Sequence, residues 1–558
     1  MYEEQSISIA ELIFTKITSG LARKSVVKCS DWAERYRIMG NESPFPGPWR
    51  FPHYPWTRGM HDSDAEMNIG QKAAQMSYTE TVLNRTLYNL DIHSLNCLYV
   101  LPSWRPDACD FSAGRFNPAI ELSPHIKEMF SDVSNVGHKR AGTANLYLRG
   151  SKSKSQLKSV PINMVVIDEK DEMPPLNVPL AFERQSGQSR RQSWQISTPT
   201  YPEYGINADF LTSSQNHFFF KCPHCSKFTE LIFPDCIVVT AEKITDTTLK
   251  DSHLICKECK AKLEHNTKIE WLNSDSQWVE SYTQRDVKGW YINQLYSPEL
   301  QPYKIAESII KSQLDPAEDQ QLWNSKMGLP HIVKGSGVTD SQIKECIKPY
   351  RMLTCYNGTR VVTMGIDVGW PLCHVEIDEW ELPSTPVIDI NLGSTPRVIF
   401  METVHGFDDL KRIFIDFKVH FGVIDSQPER RLALQFANLL PGFIRCCSYE
   451  MGIEGKMIFL DQNEPRVKVD RTSWLDLSLG RFKRKDGIYL PSDTTEEYKK
   501  HIKAQIRVYQ KDKNNQQTGR YITPVGEDHF GHARNYAEIA FKLAVNQGKV
   551  YNITSQVF

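Results

Sequence analysis

The sequence predicts an α/β protein in which two sheet-based domains follow one another. Apolar runs that end in acidic residues recur in both halves of the chain, and helical patterns with a 3.6-residue period accompany them. Two Cys-x2-Cys pairs near the middle of the chain predict a small metal-stabilised module inside the first domain. The length of 558 residues allows about three to four domains.

Composition places the chain among globular proteins. Apolar residues make up 40% and charged residues 24%, and no apolar run approaches the roughly 20 residues that span a bilayer. The 66 Lys and Arg balance 67 Asp and Glu, so no net basic charge announces a nucleic-acid partner, although DNA binding needs only a local basic stripe. The N-terminus lacks the features of a secretory signal, which predicts a cytoplasmic protein.

Residues 1–40 are predicted to form an amphipathic helical lead, and residues 41–335 an α/β domain. Within this domain a short strand at Glu66–Ile69 precedes a loop of small residues and a helix with apolar residues at Leu83, Leu87 and Leu90. Strand, loop and helix in this order are the layout of a phosphate-binding loop, in which backbone N–H groups and a helix N-terminus face the phosphates.

The loop departs from the regular G-x4-G-K-[ST] pattern, because Ser77 and Tyr78 stand where the second glycine and the lysine belong. Lys72 is expected to reach the phosphates from the start of the loop, with Thr79 on magnesium. An ordinary strand-to-helix turn is the alternative interpretation. The candidate ATP-binding residues are Lys72, Gln75, Ser77, Tyr78, Thr79 and, from the next strand, Asp168.

Asn163–Glu169 is an apolar run that ends in two acids, as expected of a buried parallel strand whose carboxyl end faces a ligand. Asp168 is predicted to hold Mg²⁺, and Glu169 to orient and deprotonate the attacking water. A third strand, Trp194–Ser197, continues into Thr198 and ends in hydroxyl groups suited to sensing the γ-phosphate.

Cys222, Cys225, Cys256 and Cys259 form two C-x2-C knuckles, separated by residues 226–255. Two such turns complete the closed four-thiolate site of structural zinc, so residues 216–285 are predicted to form an inserted zinc ribbon, with helical elements following over 286–335. Four unrelated core thiols are the alternative. The other nine cysteines follow no spacing rule and are expected to be reduced.

A linker over residues 336–345 is predicted to lead into a second domain at residues 346–558. There, Asp367 and Asp425 end predicted strands and Asp528 opens a predicted helix. Three acids so placed can hold two divalent cations for phosphodiester hydrolysis, which predicts an RNase H-like nuclease with these acids as its catalytic metal ligands. Glu402 competes with Asp425, His529 or His532 is expected to support the site, and solvated caps are the alternative for each acid.

These motifs together resemble the large terminase subunits of tailed bacteriophages and prophages, and within them the lambda-type group. The similarity covers nearly the whole chain. It is carried by residues 31–37 and 46–49, the displaced-lysine loop 72–80, residues 166–169, the cysteine knuckles, and residues 289–297, 323–330, 365–367 and 532–537.

The resemblance implies an ATP-driven motor that moves double-stranded viral DNA into the procapsid, joined to an endonuclease that cuts concatemeric DNA. It implies ATP with Mg²⁺ at the motor, two Mg²⁺ or Mn²⁺ at the nuclease, and a structural Zn²⁺. Lys72, Thr79, Asp168 and Glu169 would serve the motor, and Ser197 and Thr198 would couple hydrolysis to movement. The implied partners are the small terminase subunit and the portal or procapsid, with a ring oligomer on assembly, a monomer in isolation, and the host cytoplasm as location.

Two other functions agree with the same residues. A helicase or repair ATPase with an accessory nuclease would share both active sites. A zinc-ribbon DNA-binding protein would carry an inactive phosphate loop, since the displaced lysine leaves that option open. The arginine that assists ATP hydrolysis remains open among Arg105, Arg115, Arg140 and Arg149, and Tyr54 or Trp56 is a candidate for stacking on adenine.

Overall fold

A computed structural model describes residues 27–130, 133–158, 160–354, 360–369, 371–383, 387, 389–450, 458–460, 464–511 and 517–546. Most of the predicted helical lead, residues 1–26, lies outside the described residues. The chain divides between His331 and Ile332 into two compact units. Over the described residues, no helix combines the length and the apolar character that crossing a membrane requires.

The first unit contains sixteen described strands and eleven described α-helices. The strands are β1 (Ile38–Met39), β2 (Gly47–Pro48), β3 (Met67–Lys72), β4 (Cys97–Leu101), β5 (Val133–Ser134), β6 (His138–Ala141), β7 (Ala144–Gly150), β8 (Met164–Asp168), β9 (Gln192–Ser197), β10 (Asn216–Lys221), β11 (Phe228–Thr229), β12 (Ile237–Val238), β13 (His253–Ile255), β14 (Lys262–Leu263), β15 (Gln277–Glu280) and β16 (Lys288–Ile292). The helices are α1 (Cys29–Tyr36), α2 (Thr57–His61), α3 (Tyr78–His93), α4 (Cys109–Phe111), α5 (Asn117–Leu122), α6 (Pro124–Met129), α7 (Val178–Phe182), α8 (Gly205–Thr212), α9 (Lys268–Leu272), α10 (Pro302–Ser312) and α11 (Pro316–Gln321).

Eleven of these strands form one sheet in the order β11-β10-β16-β3-β9-β8-β4-β7-β6-β5, with β15 paired to β10. The central strands from β10 to β7 are parallel. Strands β4, β8 and β9 are buried along their whole length, as expected for a parallel sheet covered on both faces. Their carboxyl ends meet at one edge, where α/β proteins bind ligands.

Two features of this unit differ from the sequence prediction. Strand β3 extends to Lys72, so this lysine ends the strand and does not begin the loop; β3 pairs with β16 as far as Ile292 and with β9 as far as Ser197, which keeps the chain extended. Residues 286–335 do not begin with a helix, because Lys288–Ile292 forms β16 inside the main sheet.

The predicted zinc segment is partly built into the main sheet. Its first strand, β10, pairs parallel with β16, and β15 near its end pairs antiparallel with β10. Between them, β12, β13 and β14 form a separate three-stranded sheet. The cysteine knuckles therefore lie on a small sheet whose two flanking strands are part of the larger one.

The second unit contains nine described strands and seven described α-helices. The strands are β17 (Val361–Gly369), β18 (Leu372–Trp380), β19 (Pro396–His405), β20 (Phe421–Asp425), β21 (Ile444–Tyr449), β22 (Ile458–Leu460), β23 (Arg466–Val469), β24 (Ile506–Lys511) and β25 (Gln517–Ile522). The helices are α12 (Asp340–Cys346), α13 (Ile390–Gly393), α14 (Gly406–Asp416), α15 (Arg430–Leu439), α16 (Arg471–Gly480), α17 (Glu496–Ala504) and α18 (His529–Asn546).

The sheet of the second unit has the order β19-β18-β17-β20-β21-β23-β22. Strands β19, β18 and β17 are antiparallel, and β17, β20, β21 and β23 run parallel, in agreement with the RNase H-like prediction. Helix α18 packs closely on β17, because Gly365 has no side chain at the crossing: a Cβ there would lie 2.0 Å from the Ala533 carbonyl oxygen. Thr363, on the same face, donates to the Ala537 carbonyl.

A fully buried ion network also joins α18 to the sheet. The Arg534 guanidinium donates to Glu376 at 2.7 Å, to Asp378, and to Glu538 at 3.1 Å. Each of these four side chains is fully buried. Removal of one partner would leave a buried charge uncompensated, so the network fixes the position of the helix.

The predicted linker over residues 336–345 is not an exposed connection. Its second half begins helix α12, which Thr339 and Gln342 start with a capping box. Val338 and Ile343 are buried in a core of the second unit. This segment belongs to the second unit because its apolar side chains pack there.

Candidate active sites

Three neighbouring strands of the first unit bring the predicted motor residues to one edge. Lys72 ends β3, Glu169 follows β8, and Ser197 ends β9. The Lys72 Nζ atom lies 2.8 Å from Glu169 Oε1. Burial lowers the pKa of Lys72, but the Glu169 and Asp168 carboxylates outweigh it and raise that pKa, so the lysine stays charged.

Asp168 is the most buried acid of this edge, 2% exposed. Burial and the charge of Glu169 raise its pKa to about 6, although Lys72 and the Tyr99 hydroxyl oppose the shift. Tyr99 donates to Asp168 Oδ2 at 2.7 Å, and Asp168 Oδ1 is buried without a hydrogen-bond partner among the described residues. A buried carboxylate oxygen in this state is suited to a divalent cation.

The loop after Lys72 is braced at its start and open at its end. The N–H groups of Ala73 and Ala74 donate to the carbonyls of Ile292 and Ser325. Gln75 and Ser77 have positive φ angles of 62° and 60°. This turn leads into α3, whose first-turn N–H groups have no partner within the helix and face the loop.

A cavity of about 300 Å³ lies over this loop. Its lining includes Lys72, Ala74, Gln75, Met76, Ser77, Tyr78, Thr79, Glu80, Arg115, Glu169 and Thr198. Tyr54 also lines it, whereas Trp56 is fully buried and donates to the Met76 carbonyl at 3.0 Å. The predicted ATP-binding residues thus surround one cavity, except for Asp168, which is buried next to it.

Of the four arginines singled out by the sequence, Arg115 lines this cavity. Its guanidinium lies 3.2 Å from Glu80 Oε1, and its side chain is half exposed. Arg140 and Arg149 instead donate to the backbone carbonyls of Gly142 and Gly137.

An acid that the sequence analysis missed, Asp171, joins the ends of β8 and β9. Its Oδ2 accepts from the Thr200 N–H at 2.9 Å and from the Thr200 hydroxyl at 2.8 Å. Its Oδ1 accepts from the Ile206 N–H at 2.7 Å, and its own N–H donates to the Ser197 hydroxyl. The position of this acid in a loop three residues after Asp168 carried no distinguishing signal in the sequence.

The four knuckle cysteines converge, with Sγ atoms within 4.8 Å of one another. The two knuckles have the same backbone geometry: each first cysteine accepts an N–H bond at its sulfur from the residue two positions later, His224 or Glu258. Burial raises the pKa of the Cys256 thiol, but the N–H groups of Cys259 and Glu258 outweigh this and bring the pKa to about 7. The described cysteines of the chain are free thiols.

In the second unit, Asp367 and Asp425 lie on the neighbouring parallel strands β17 and β20. Burial and the nearby charge of Asp367 raise the pKa of Asp425 to about 6. Gln427 donates its N–H to Asp425 at 3.0 Å. Two carboxylates whose charges repel each other at a sheet edge are suited to divalent cations.

The start of α18 adds two histidines. His529 Nδ1 lies 2.7 Å from Asp367 Oδ2, and this contact raises the pKa of His529. Asp528 instead accepts from Thr523, from Gln505 at 3.1 Å and from His532 at 3.2 Å. Burial opposes ionisation of Asp528, yet His532 and the other donors hold its pKa well below the usual value.

Glu402 lies on the other face of the sheet from Asp367. The cross-strand pairs put Asp367, His374 and Thr403 on one face, and Ile366, Val375 and Glu402 on the opposite face. His374, which the sequence analysis missed, therefore faces Asp367, and its ring stacks on that of His529 at 4.4 Å. No sequence motif marks His374, because its role depends on strand register alone.

Comparisons with known proteins were made for the chain. A family model described as the phage terminase large subunit gpA, ATPase domain, matches residues 43–278. A second, the terminase large subunit gpA, endonuclease domain, matches residues 287–382, which include Asp367 and end before Asp425. No curated protein sequence matches the chain.

Solved structures with a similar course of the chain include the HK97 bacteriophage large terminase, with 10% identity and a TM-score of 0.49 over 92% of this chain and 98% of that one. The large terminase ATPase domain of Thermus phage P74-26 has 11% identity and a TM-score of 0.31 over 50% of this chain and 96% of that one. The g2p large terminase nuclease domain of bacteriophage SPP1, with bound Mn, has 15% identity and a TM-score of 0.21 over 36% of this chain and 96% of that one.

Proposed function

Since the chain belongs to the phage terminase large subunits of the gpA family, which package DNA by means of an ATPase and a metal-dependent endonuclease, we propose which of its residues perform each activity. The ATPase domain ends near His331, where the first compact unit ends, and the nuclease occupies the second. The observation that carries the assignment is the convergence of Lys72, Asp168 and Glu169 at one sheet edge, with Asp367 and Asp425 at another.

In the ATPase, the Lys72–Glu169 ion pair of 2.8 Å holds the base on the lysine when no nucleotide is bound. A phosphate group entering the cavity competes for Lys72, and Glu169 is then released to accept a proton from the attacking water. Gln75, Ser77, Tyr78 and Thr79 offer backbone or hydroxyl groups to the phosphates. Mg²⁺ bound at Asp168 and Thr79 would neutralise charge on the β- and γ-phosphates.

Arg115 is the proposed arginine that stabilises charge during hydrolysis. It lines the same cavity as Lys72 and Glu169, and its half-exposed side chain is held only at one end, by Glu80. Tyr54, from the same lining, is the proposed contact for the base of ATP.

Asp171 and Thr200 extend the proposed coupling segment of Ser197 and Thr198. Asp171 follows the catalytic strand end and binds Thr200 through both the N–H and the hydroxyl. The Thr200 carbonyl accepts in turn from Asn324 and from the N–H of His331, the last residue of the first unit. A shift of the β8 end during hydrolysis therefore reaches the end of this unit through one chain of hydrogen bonds.

We expect Thr200→Val to lower the amount of DNA packaged per ATP hydrolysed, because it deletes one of the two hydrogen bonds to Asp171 at a local cost of about 1–2 kcal/mol. ATP turnover without procapsids should stay within about twofold of wild type, and Thr200→Ser should restore packaging. Parallel assays of ATP turnover and nuclease-protected DNA in procapsids measure both. Thr212→Val, an exposed threonine bonded to Asp209, is the control; equal loss of both activities would contradict a coupling role.

In the nuclease, Asp367 and Asp425 are the proposed metal ligands, and Asp528 the third. His529 orients Asp367 from 2.7 Å, and His532 connects Asp528 with the neighbourhood of Asp425. The repulsion that raises the pKa of Asp425 is relieved when cations bind, so these side chains fit them. Two Mg²⁺ or Mn²⁺ ions there would activate a water and stabilise the leaving oxygen of the DNA backbone.

The four convergent cysteines are the proposed site of one structural Zn²⁺. Their Sγ separations, up to 4.8 Å, and the matching N–H bonds to Cys222 and Cys256 are those of paired zinc knuckles. With all four ligands from the chain, such an ion has no open position for catalysis.

We expect Cys256→Ser to lose one zinc equivalent per chain and to unfold at a temperature lower by about 5 °C or more, since the ion contributes folding free energy. Zinc content by elemental analysis and a thermal scan measure both effects. Cys236→Ser is the matched control, because Cys236 is buried nearby but lies outside the cluster. Unchanged zinc in Cys256→Ser would show that the thiols are ordinary core residues.

The proposed partners are double-stranded viral DNA, the small terminase subunit and the portal or procapsid. The proposed place of action is the host cytoplasm, with a ring oligomer formed on the portal and a monomer in isolation. Two single substitutions, one in each unit, test the division of labour: each should abolish its own activity and spare the other.

A further inference from the structure

Beside the nuclease acids lies a second group of metal-binding side chains. His374 comes from β18, and Glu497 and His501 come from α17. Glu497 and His501 are four residues apart and share one face of the helix, which points at His374. One ligand atom from each of the three lies within 4.8 Å of the other two. We call these three residues the histidine cluster.

The separations are those of ligands around an ion. His374 Nε2 lies 3.7 Å from Glu497 Oε1, too far for a strong hydrogen bond. Ligands bound at about 2.1 Å in a tetrahedron lie about 3.4 Å from each other, close to the observed value. His501 Nε2 lies 3.7 Å from Glu527 Oε2, which supplies a fourth oxygen.

Burial makes simple solvation a poor account of the cluster. His374 and His501 are each 5% exposed, and their ring centroids are 5.5 Å apart. The Phe530 N–H contacts Nδ1 of His501 at 3.5 Å and holds the ring with Nε2 toward the carboxylates. Two buried imidazoles face two carboxylates here without a close hydrogen bond between them.

The donor types separate this cluster from the nuclease acids. Carboxylate oxygens suit Mg²⁺ and Mn²⁺, whereas imidazole nitrogens favour Zn²⁺ and other late first-row ions. Two histidines with one glutamate are a known ligand set for zinc. We propose that His374, Glu497 and His501 bind a divalent transition-metal ion, Zn²⁺ being the best fit, that joins α17 to β18 next to Asp367.

The test is the zinc content of purified chains after dialysis against excess Mg²⁺. In a Cys256→Ser background, which removes the cysteine site, we expect one zinc equivalent to remain and to be lost on adding His501→Gln. Glu497→Gln is a second variant: its carboxylate is half exposed, so folding should tolerate the change. Co²⁺ substitution gives an independent readout, because His and carboxylate ligands yield visible d–d bands without thiolate charge transfer.

Two controls make the result specific. Glu496→Gln alters the neighbouring helix residue, which pairs with Lys499, and should keep the zinc. Asp367→Asn should also keep it, since Asp367 lies outside the cluster. Retention of zinc in both His501→Gln and Glu497→Gln, or its loss in Asp367→Asn, would overturn the proposal, whatever the state of the ATPase and nuclease activities.

Discussion

We expect the Glu169→Gln chain to hydrolyse ATP about 10²–10⁴-fold more slowly than wild type while still binding nucleotide. The amide keeps the size of the side chain and its contact with Lys72, but it cannot accept a proton from water. Turnover and nucleotide affinity measured on the same preparation separate loss of chemistry from loss of binding. DNA cleavage by the second unit should be unchanged.

Lys72→Ala extends this prediction. It removes the cation that balances two neighbouring acids, so we expect both weaker nucleotide binding and loss of turnover. Glu172→Gln is the matched control, because this exposed acid lies three residues after Glu169 and outside the cavity lining. Unchanged turnover in Lys72→Ala would show that the displaced lysine has no role in hydrolysis and would favour an inactive phosphate loop.

The second large effect is expected from Asp367→Asn, which should lower metal-dependent plasmid cleavage by about 10²–10³-fold or more with either Mg²⁺ or Mn²⁺. Asparagine preserves the shape beside His529 but removes the charge that would hold a cation. ATP turnover in the same tubes should match wild type, because the ATPase residues lie in the other unit.

Glu402→Gln is the control for the nuclease prediction. Strand register places Glu402 on the opposite face of the sheet from Asp367, so cleavage should persist. Loss of cleavage in Glu402→Gln, or its survival in Asp367→Asn, would contradict the choice of metal ligands.

Local sequence signals predicted the parts of the molecule whose structure depends on neighbours along the chain. Strand β8 and its two acids followed from an apolar run that ends in charge, and helix α3 from its periodic leucines. The strand character of residues 288–292 was missed, because a five-residue strand inside a parallel sheet carries no alternation to detect.

What the sequence by itself determined is the α/β class, the order of ATPase and nuclease, and the residue types of each site, because these depend on short-range pattern and composition. What only the tertiary structure decided is which side chains meet: Asp171 with Thr200, His374 with His529, and Arg115 with the phosphate cavity. Such contacts depend on strand register and helix packing between distant segments. A shift of one residue in a strand reverses the face of every side chain, and no local pattern records that choice.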